Sequence, residues 1–504
     1  MIGRVVGLVA ICGALAAQTR TVSNTAEHTL KPANVSVATF GKLYSYYVDG
    51  SVFAQPLYMN VDGRNMLFVA TMNDKVYAFY ADFPSSPLWM RDLTDEMAGV
   101  TPVPVTDITN NNDLNLVGNI GIEGTPVIAG GAMFLVARTK ERGRYVQRLY
   151  KLDVRTGRDM KPPVSIEVTV AGTAPDGVSG NVFFDARGGN QRPALAIANG
   201  SVIIAWASHE DIRPYHGWIM AYDVVSLRQQ AAFCVTPDGA EGGIWQSGRG
   251  PVVDDTGAIY FETGNGSWDG ARNFGNSLVK LRVNGDQFMV DDYFTPSNYE
   301  DLNRRDADFG STGPIYVPGP NVLIAGSKNG VLSVFDPKKL GHMTPEGDGL
   351  LQTLPVNGGR ILAGPTLWDG PAGTVLYLWC EADVIKGFRF DGRTLETTPS
   401  TKGTIPNKGS PGGMLTLSSD GKAAGSGIIW ATNTNNKSAD HGNAPGVLRA
   451  YDAESLKELW NSEQVPRRDR LGTLVKFVPP VVANGRVYVP NYDNAVSVYG
   501  LVPH

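Results

Sequence analysis

The chain has 504 residues, of which 59 are Gly and 32 are Pro, and only 18% are charged. This turn-rich composition, with 42% hydrophobic residues, excludes collagen and disordered chains and favours many short strands over long helices. The formal net charge of −5, without a long basic run, excludes nucleic acid as an expected partner.

The first sixteen residues resemble a secretory signal. Arg4 is followed by an apolar run from Val5 to Ala16, and the small residues Ala14 and Ala16 suit a signal peptidase. We therefore predict a signal peptide over residues 1–16 and a secreted or periplasmic location. A membrane anchor is the alternative, but about a dozen apolar residues are too few for a bilayer, which needs about 20. We expect residues 17–34 to form a flexible N-terminal segment.

Beyond this segment, one unit recurs eight times over residues 35–504. Each unit starts at a Pro with small or polar neighbours and adds three short apolar strands separated by Gly or Asn turns. A fourth strand follows, as at Trp89, Phe233 and Trp460. The anchors are Pro56, Pro126, Pro193, Pro251, Pro314, Pro365, Pro411 and Pro479. Four-stranded units repeated without helical periodicity predict an all-β chain forming a single eight-bladed β-propeller domain. Two β-sandwiches in tandem are the alternative, but they would not share one template from end to end.

The N-terminal strand is expected to close the ring. The segment from Phe40 to Gly50 is typical of the fourth strand of a unit, yet no unit of its own precedes it. The eighth unit lacks a fourth strand because the chain ends there. Pairing the two would complete the last blade and remove an exposed sheet edge.

The predicted mature chain keeps two cysteines, Cys234 and Cys380. Both lie in apolar, strand-like segments of different repeats, so we expect buried thiols rather than a disulfide. No C-x-x-C-H motif is present, which excludes covalently attached haem. We expect a monomer with no transmembrane segment in the mature chain.

Polar residues near the Pro anchors are predicted to surround one mouth of the central channel, because the innermost strands line that channel. This mouth set comprises Gln55, Glu123, Gln191, Arg192, Arg249, Asp308, Lys408 and Lys476. Convergent polar groups above an apolar wall are typical of a small-ligand site. Solvation of the channel mouth is the alternative explanation for the same residues.

The segment from Ser208 to Pro314 holds the densest motifs, including GGIW ending at Trp245 and TGN ending at Asn265. Together with the Tyr-x-Leu-Asp-like third strands, it resembles the quinoprotein alcohol dehydrogenase superfamily. Members of that superfamily bind pyrroloquinoline quinone (PQQ) on the channel axis of an eight-bladed propeller, beside Ca²⁺. The resemblance therefore implies PQQ and Ca²⁺ as cofactors.

The same resemblance implies roles for individual residues. Trp245 would form the floor under the quinone, and Glu210 and Asn265 would ligate Ca²⁺. Asp308 would be the catalytic base, with Asp301 as the alternative. A hard cation would polarise the quinone carbonyl, and the carboxylate would take the proton of the alcohol as hydride leaves.

Three residues of the mouth set, Glu123, Arg192 and Arg249, are the further candidates for contact with a cofactor. The sequence departs from the alcohol-oxidising enzymes, however, since it has no adjacent cysteine pair, no haem motif, and shifted spacings around the Glu and Asp positions.

A second resemblance, over residues 190–200, 206–218 and 241–248, is to secreted bacterial proteins that share only the PQQ-like propeller. We therefore predict an exported propeller that binds a small molecule or a protein at its central channel, without established catalysis. The alternative is a PQQ- and Ca²⁺-dependent oxidoreductase acting on an alcohol or a sugar.

Overall fold

The computed structural model describes residues 18, 20–109, 115–343 and 349–503. The predicted signal peptide over residues 1–16 lies outside these ranges. The described strands form eight small antiparallel sheets arranged as an eight-bladed β-propeller, which confirms the predicted fold class.

The first four blades follow one another along the chain, each beginning within three residues of a predicted Pro anchor. Blade 1 comprises Leu57–Val61, Arg64–Ala70, Lys75–Tyr80 and Trp89–Asp92. Blade 2 comprises Val127–Ala129, Ala132–Glu141, Arg144–Asp153 and Val164–Ser165, with Val100–Pro102 paired to its long second strand. Blade 3 comprises Ala196–Ala198, Ser201–Ser208, Trp218–Asp223 and Gln229–Cys234, with Gly189–Asn190 paired to its second strand. Blade 4 comprises Val252–Val253, Ile259–Glu262, Leu278–Asn284 and Gln287–Phe294.

The remaining four blades repeat this order. Blade 5 comprises Ile315–Val317, Val322–Ser327, Val331–Phe335 and Leu350–Pro355. Blade 6 comprises Thr366–Gly370, Gly373–Leu378, Val384–Phe390 and Thr401–Pro406. Blade 7 comprises Met414–Ser418, Ile428–Thr434, Pro445–Asp452 and Glu458–Asn461, with Gly472–Thr473 paired to its third strand. Blade 8 comprises Val481–Ala483, Arg486–Asn491, Ala495–Leu501 and the N-terminal strand Phe40–Tyr47.

Helices and one hairpin occupy the connections between strands. The helices are two short α-helices, Tyr299–Arg304 and Pro466–Asp469, and the 3₁₀ turns Pro32–Asn34, Val105–Asp107 and Gln246–Gly248. The hairpin pairs Thr169–Ala171 with Asn181–Phe183. Within the described ranges, no helix is long and apolar enough to cross a membrane.

The N-terminal strand closes the ring as predicted. Phe40 pairs opposite Leu501, and Tyr47 pairs opposite Ala495, in an antiparallel ladder. Phe40 is fully buried and contacts the indole of Trp460 with ring centroids 4.9 Å apart. The closing strand is therefore held by main-chain pairing and by an aromatic contact with the neighbouring blade.

Both predicted thiols are buried inside their sheets. Cys234 and Cys380 are free cysteines and are each less than 4% exposed. This confirms the expectation that they do not form a disulfide.

The strand order gives the ring two distinct faces. All inner strands begin at one face, here called the start face, and end at the opposite one, the end face. Because neighbouring strands are antiparallel, the loops between second and third strands also lie at the start face. Turns that follow the inner strands lie at the end face.

Part of the N-terminal segment that we expected to be flexible runs inside the central channel. Gln18 forms an antiparallel bridge with Ile128 on the inner strand of blade 2. Ser23–Asn24 pairs in parallel with the inner strand of blade 7. Because all inner strands run in the same direction, these opposite pairings mean that the chain turns back within the channel. We call residues 18 and 20–26 the channel loop.

Side-chain hydrogen bonds hold the channel loop in the channel. Gln55 of blade 1 accepts from Thr21 N at 2.8 Å and donates to Thr21 O at 2.9 Å. Asn24 Nδ2 donates to Val482 O of blade 8 at 3.0 Å. Together with the strand pairing, these bonds attach the loop to blades 7, 8, 1 and 2, and Thr366 of blade 6 donates to Val22 O at 2.7 Å.

Candidate functional site

Three of the predicted site residues meet at the start face of blade 4. Asn265 N donates a 2.8 Å hydrogen bond to Asp308 Oδ1. A Cβ on Gly264 would lie 2.5 Å from that oxygen and 2.8 Å from the ring of Trp245. Glycine at this position therefore lets the carboxylate and the indole approach the same stretch of backbone. The structure thus brings together Trp245, Asn265 and Asp308, which come from three different loops.

An aromatic corner forms one side of this site. Trp245 is half-buried, and its Nε1 donates to Ser208 O at 3.0 Å. The ring of Tyr215 meets the indole edge-on, with centroids 6.0 Å apart and planes at 75°. Tyr215 in turn donates to Asp211 Oδ1 at 3.0 Å, which links the corner to the neighbouring carboxyl groups.

Lys328 neutralises the acidic side of the site. Its Nζ lies 2.6 Å from Asp306 Oδ2 and 3.3 Å from Asp308 Oδ2. Burial raises the pKa of Asp308, and the charge of Lys328 only partly offsets that effect. Burial also raises the pKa of Asp211, with a further contribution from the negative charge of Asp308. Asp308 is therefore both desolvated and paired with an ammonium group.

The predicted calcium ligands Asn265 and Glu210 lie in the loops that follow the second strands of blades 4 and 3. Asn265 Nδ2 donates to Asp306 Oδ1 at 3.0 Å, and its amide oxygen accepts from Asn276 Nδ2 at 3.3 Å. Glu210 precedes Asp211 in the adjacent loop, and both residues have left-handed backbone, at φ 50° and 51°. Among the described residues, no group of three or more His, Cys, Asp or Glu side chains is arranged to hold a metal ion.

Asp301, the alternative catalytic residue, pairs with arginines of its own segment. It sits on the helix Tyr299–Arg304 and binds Arg304 at 2.9 Å and Arg305 at 2.5 Å. Its carboxylate is thus engaged by side chains of its own segment. Of the two candidates, the structure brings only Asp308 into contact with the backbone of Asn265 and Gly264.

The three other cofactor candidates lie inside the channel wall rather than beside the indole. Arg192 donates to Lys476 O at 3.0 Å and lies 5.6 Å above the ring of Phe53. Arg249 donates to Pro365 O, just before the inner strand of blade 6. Glu123 is buried and lies 3.3 Å from His209 Nε2.

The charge of Glu123 is stabilised within the wall despite its burial. Burial by itself would raise the pKa of Glu123. The interactions with His209, Arg138 and Arg192 outweigh that effect and leave the pKa below its usual range. Arg138 Nη1 also lies 2.7 Å from His209 Nε2, and burial lowers the pKa of this histidine. Glu123 therefore belongs to a buried structural network.

The rest of the mouth set divides between the channel wall and the surface. Gln55 holds the channel loop, as described above. Gln191 Nε2 donates to Pro193 O at 2.7 Å, and Lys476 Nζ donates to Ala439 O at 2.7 Å. Lys408 is exposed. Gln55, Gln191 and Lys476 are therefore engaged within the protein, whereas the side chain of Lys408 faces solvent.

Comparisons with solved structures agree with this architecture. A quinohemoprotein alcohol dehydrogenase from Pseudomonas putida HK5 is similar with a TM-score of 0.57 and 14% identity, over 94% of this chain and 78% of that chain. The quinohemoprotein alcohol dehydrogenase of Comamonas testosteroni is similar with a TM-score of 0.55 and 16% identity, again over 94% and 78%. The fold is that of the quinohemoprotein alcohol dehydrogenases. The predicted resemblance is thus confirmed at the level of the fold.

The chain is also similar in fold to a designed protein. The computationally designed protein Ika8 is similar with a TM-score of 0.50 and 11% identity, over 91% of this chain and 99% of that chain. No protein-family model and no curated protein matches the sequence. The activity of this chain must therefore be argued from its own site, because one fold supports many functions.

Sequence reasoning missed several residues of this site. Asp211 and Tyr215 lie within residues 206–218, one of the segments that carry the second resemblance, but no motif singles out either residue. Lys328 belongs to the next blade, 20 residues after Asp308, in a short turn that resembles any other turn of the repeat. Only the ring geometry brings it beside the two aspartates.

Proposed function

We propose that the protein is an exported propeller that binds a small hydroxyl-bearing ligand at the start face, without catalysing its conversion. The observation that supports this most directly is the ion pair of Lys328 with Asp308 and Asp306. A base that takes a proton from an alcohol needs an available carboxylate. Here the carboxylate is already paired, and Asn265 is hydrogen-bonded within the protein.

The same site has features that suit binding. The half-buried indole of Trp245 and the ring of Tyr215 supply apolar area, and polar groups of Asp211 and Asp308 lie beside them. A few polar groups next to aromatic surface are typical of small-ligand sites. Sugars and polyols present both hydroxyl groups and apolar faces, so they fit this combination.

Titration calorimetry with a panel of sugars and polyols tests the binding proposal. We expect saturable binding by at least one class, and a loss of at least tenfold in affinity in Trp245→Ala. The matched control is Trp89→Ala on the outer strand of blade 1, which should leave the affinity unchanged. Equal binding by wild type and Trp245→Ala would contradict the proposed site.

The second candidate function is a PQQ- and Ca²⁺-dependent oxidoreductase acting on an alcohol or a sugar. The approach of both Trp245 and Asp308 to Gly264 favours it, because the resemblance assigns these two residues to one quinone site. When bound, PQQ would supply a hydride acceptor. It ranks second because Asn265 and Asp308 are already hydrogen-bonded within the protein.

A dye-reduction assay separates the two candidates. Purified protein incubated with PQQ and Ca²⁺ should show no turnover across alcohols and sugars. Robust turnover that is lost in Asp308→Asn but retained in Asp301→Asn would overturn the non-catalytic proposal and establish the oxidoreductase.

Export is part of the proposal and has its own test. Cleavage after Ala16 would leave the complete channel loop in the mature chain. We expect the protein outside the cytoplasm of a bacterial host, with an N-terminal sequence beginning at Ala17. Accumulation of the uncleaved chain in the cytoplasm would contradict export.

A further inference from the structure

Three arginines converge at the centre of the channel. Arg20 comes from the channel loop, whereas Arg192 and Arg249 precede the inner strands of blades 3 and 4. A Cβ on Gly248 would lie 2.5 Å from Arg20 Nη1 and 2.8 Å from Arg192 Nη1. The like-charged guanidinium groups therefore lie against the same stretch of backbone.

These guanidinium groups bind main-chain carbonyls instead of carboxylates. Arg20 donates to Ser247 O at 2.7 Å, and Arg249 donates to Pro365 O. The acceptors of Arg192 are also main-chain oxygens, those of Phe53, Glu123 and Lys476. None of the three arginines forms an ion pair with a carboxylate in the part of the chain that the structure describes.

Positive charge is thus buried without full compensation. Arg249 is only 9% exposed, and the Nε atoms of Arg20 and Arg249 are buried without a hydrogen-bond partner among the described residues. Burial lowers the pKa of Arg20 well below its usual range, and the charges of Arg249 and Arg192 lower it further. Buried charge of this kind is unfavourable unless an opposite charge is supplied.

A cavity of about 410 Å³ adjoins two of these arginines. It lies between the channel loop and the inner strands of blades 3, 4 and 5. Its apolar lining includes Val22, Leu195, Pro251, Ile315 and Tyr316. The volume suits a small ligand with an apolar body.

The cavity extends toward the end face, away from the site around Trp245. Arg20 and Arg249 line it near the beginning of the inner strands, whereas Asp255 and Pro318 line it in the turns where those strands have ended. A ligand entering from the end face would pass Asp255 before it reaches the arginines. That carboxylate disfavours a second anionic group on the outer part of the ligand.

We propose that this cavity is a second binding site, which takes a small monocarboxylate with an apolar body from the end face. The carboxylate group pairs with Arg20 and Arg249, since a guanidinium binds a carboxylate through charge-assisted hydrogen bonds. The apolar body lies against Val22, Pro251 and Ile315. Asp255 selects against dicarboxylates.

Calorimetry with straight-chain monocarboxylates from acetate to octanoate, benzoate, the matching primary amides and inorganic phosphate tests the proposal on the full mature chain. We expect affinity to rise with chain length up to the size of the cavity, with amides and phosphate binding at least tenfold more weakly. Equal binding by phosphate, acetate and hexanoate would overturn the proposal, because it would show a response to charge alone. Equal binding by acids and amides would overturn the role of the arginines.

Three variants locate the site. Arg249→Gln should weaken hexanoate binding at least tenfold, whereas the exposed control Arg393→Gln should not. Ile315→Trp fills the cavity without removing an arginine and should give the same loss, so the proposal stays testable if Arg249→Gln fails to fold. Unchanged hexanoate affinity in folded Ile315→Trp would overturn the assignment to this cavity. Trp245→Ala should leave hexanoate binding unchanged. A failure of the proposed carboxylate site can therefore be distinguished from a failure of the proposed ligand site at the start face.

Discussion

Arg20 Nη1 donates a 2.7 Å hydrogen bond to the main-chain oxygen of Ser247, 227 residues further along the chain. The contact joins the channel loop to the turn that leads into blade 4. The same loop also pairs with the inner strand of blade 7. The N-terminal segment therefore bridges the interior of the ring in addition to closing its edge.

The anchor that follows the channel loop should contribute measurably to stability. Glu27 is 1% exposed and accepts hydrogen bonds from Thr29 N, Leu30 N and, in blade 8, Gly485 N. Glu27→Ala would leave these donors without their partner, and we expect it to lower the free energy of unfolding by about 3 kcal/mol. Urea denaturation measures the change. The exposed control Glu96→Ala should have little effect, and equal losses in both variants would contradict the anchoring role.

Closure of the ring should depend on Phe40. Its side chain is fully buried between blades and contacts both Trp430 and Trp460. We expect Phe40→Ala to destabilise the fold by about 3–5 kcal/mol. Tyr47 lies on the same strand but is 79% exposed, so Tyr47→Ala should change stability by less than about 0.5 kcal/mol. Thermal and urea unfolding of both variants check the contrast.

Stability should fall as pH rises because of Glu262. Burial raises the pKa of this fully buried carboxyl well above its ordinary value of 4.5, although Gly313 N–H and Arg249 oppose the shift. Between the ordinary and the raised pKa the folded chain holds a proton that the unfolded chain releases. The free energy of unfolding therefore decreases as pH rises through that window, by at most about 1.4 kcal/mol per pH unit.

Glu262→Gln should remove this part of the pH dependence. We expect unfolding measured from about pH 5 to about pH 8 to show a shallower decline in the variant than in wild type. Glu300→Gln, at an exposed position, should reproduce the wild-type profile. A Glu262→Gln profile parallel to that of wild type would mean that the carboxyl titrates normally.

The two buried thiols should be unreactive until the protein unfolds. Burial raises the pKa of Cys234 and of Cys380 to about 12, so few thiolates are present near neutral pH. We expect no reaction with Ellman's reagent at about pH 8 in the folded state and complete reaction in denaturant. Val37→Cys places a thiol at a position that is 45% exposed and serves as the reactive control. Rapid labelling of Cys234 or Cys380 in the folded protein would contradict their burial.

The propeller could be predicted from the sequence because its evidence is local and repeated. Each inner strand begins just after a Pro anchor, as Val127 follows Pro126 and Val252 follows Pro251. Short apolar runs bounded by turns specify strands, and eight copies of one unit specify the number of blades. The unpaired segment beginning at Phe40 similarly indicated closure, since a ring leaves no unmatched edge.

The site could be predicted only in part. Trp245, Asn265 and Asp308 were found through motifs and do meet in the structure. Lys328 was missed because its short turn resembles the other turns of the repeat. Its pairing with Asp308 changes what the site offers chemically, since it engages the carboxylate that the resemblance assigned to proton transfer.

The sequence by itself determined the number of blades, the positions of their strands and the closure of the ring, because those follow from short-range patterns of apolar and turn residues. Only the tertiary structure decided that residues 18 and 20–26 occupy the channel, and that Arg20, Arg192 and Arg249 meet there. Those contacts join segments that are distant in the sequence, at positions set by the width of the ring and by the path of one non-repeating segment. No local sequence pattern specifies such distances, so the contacts within the channel could be identified only in the assembled ring.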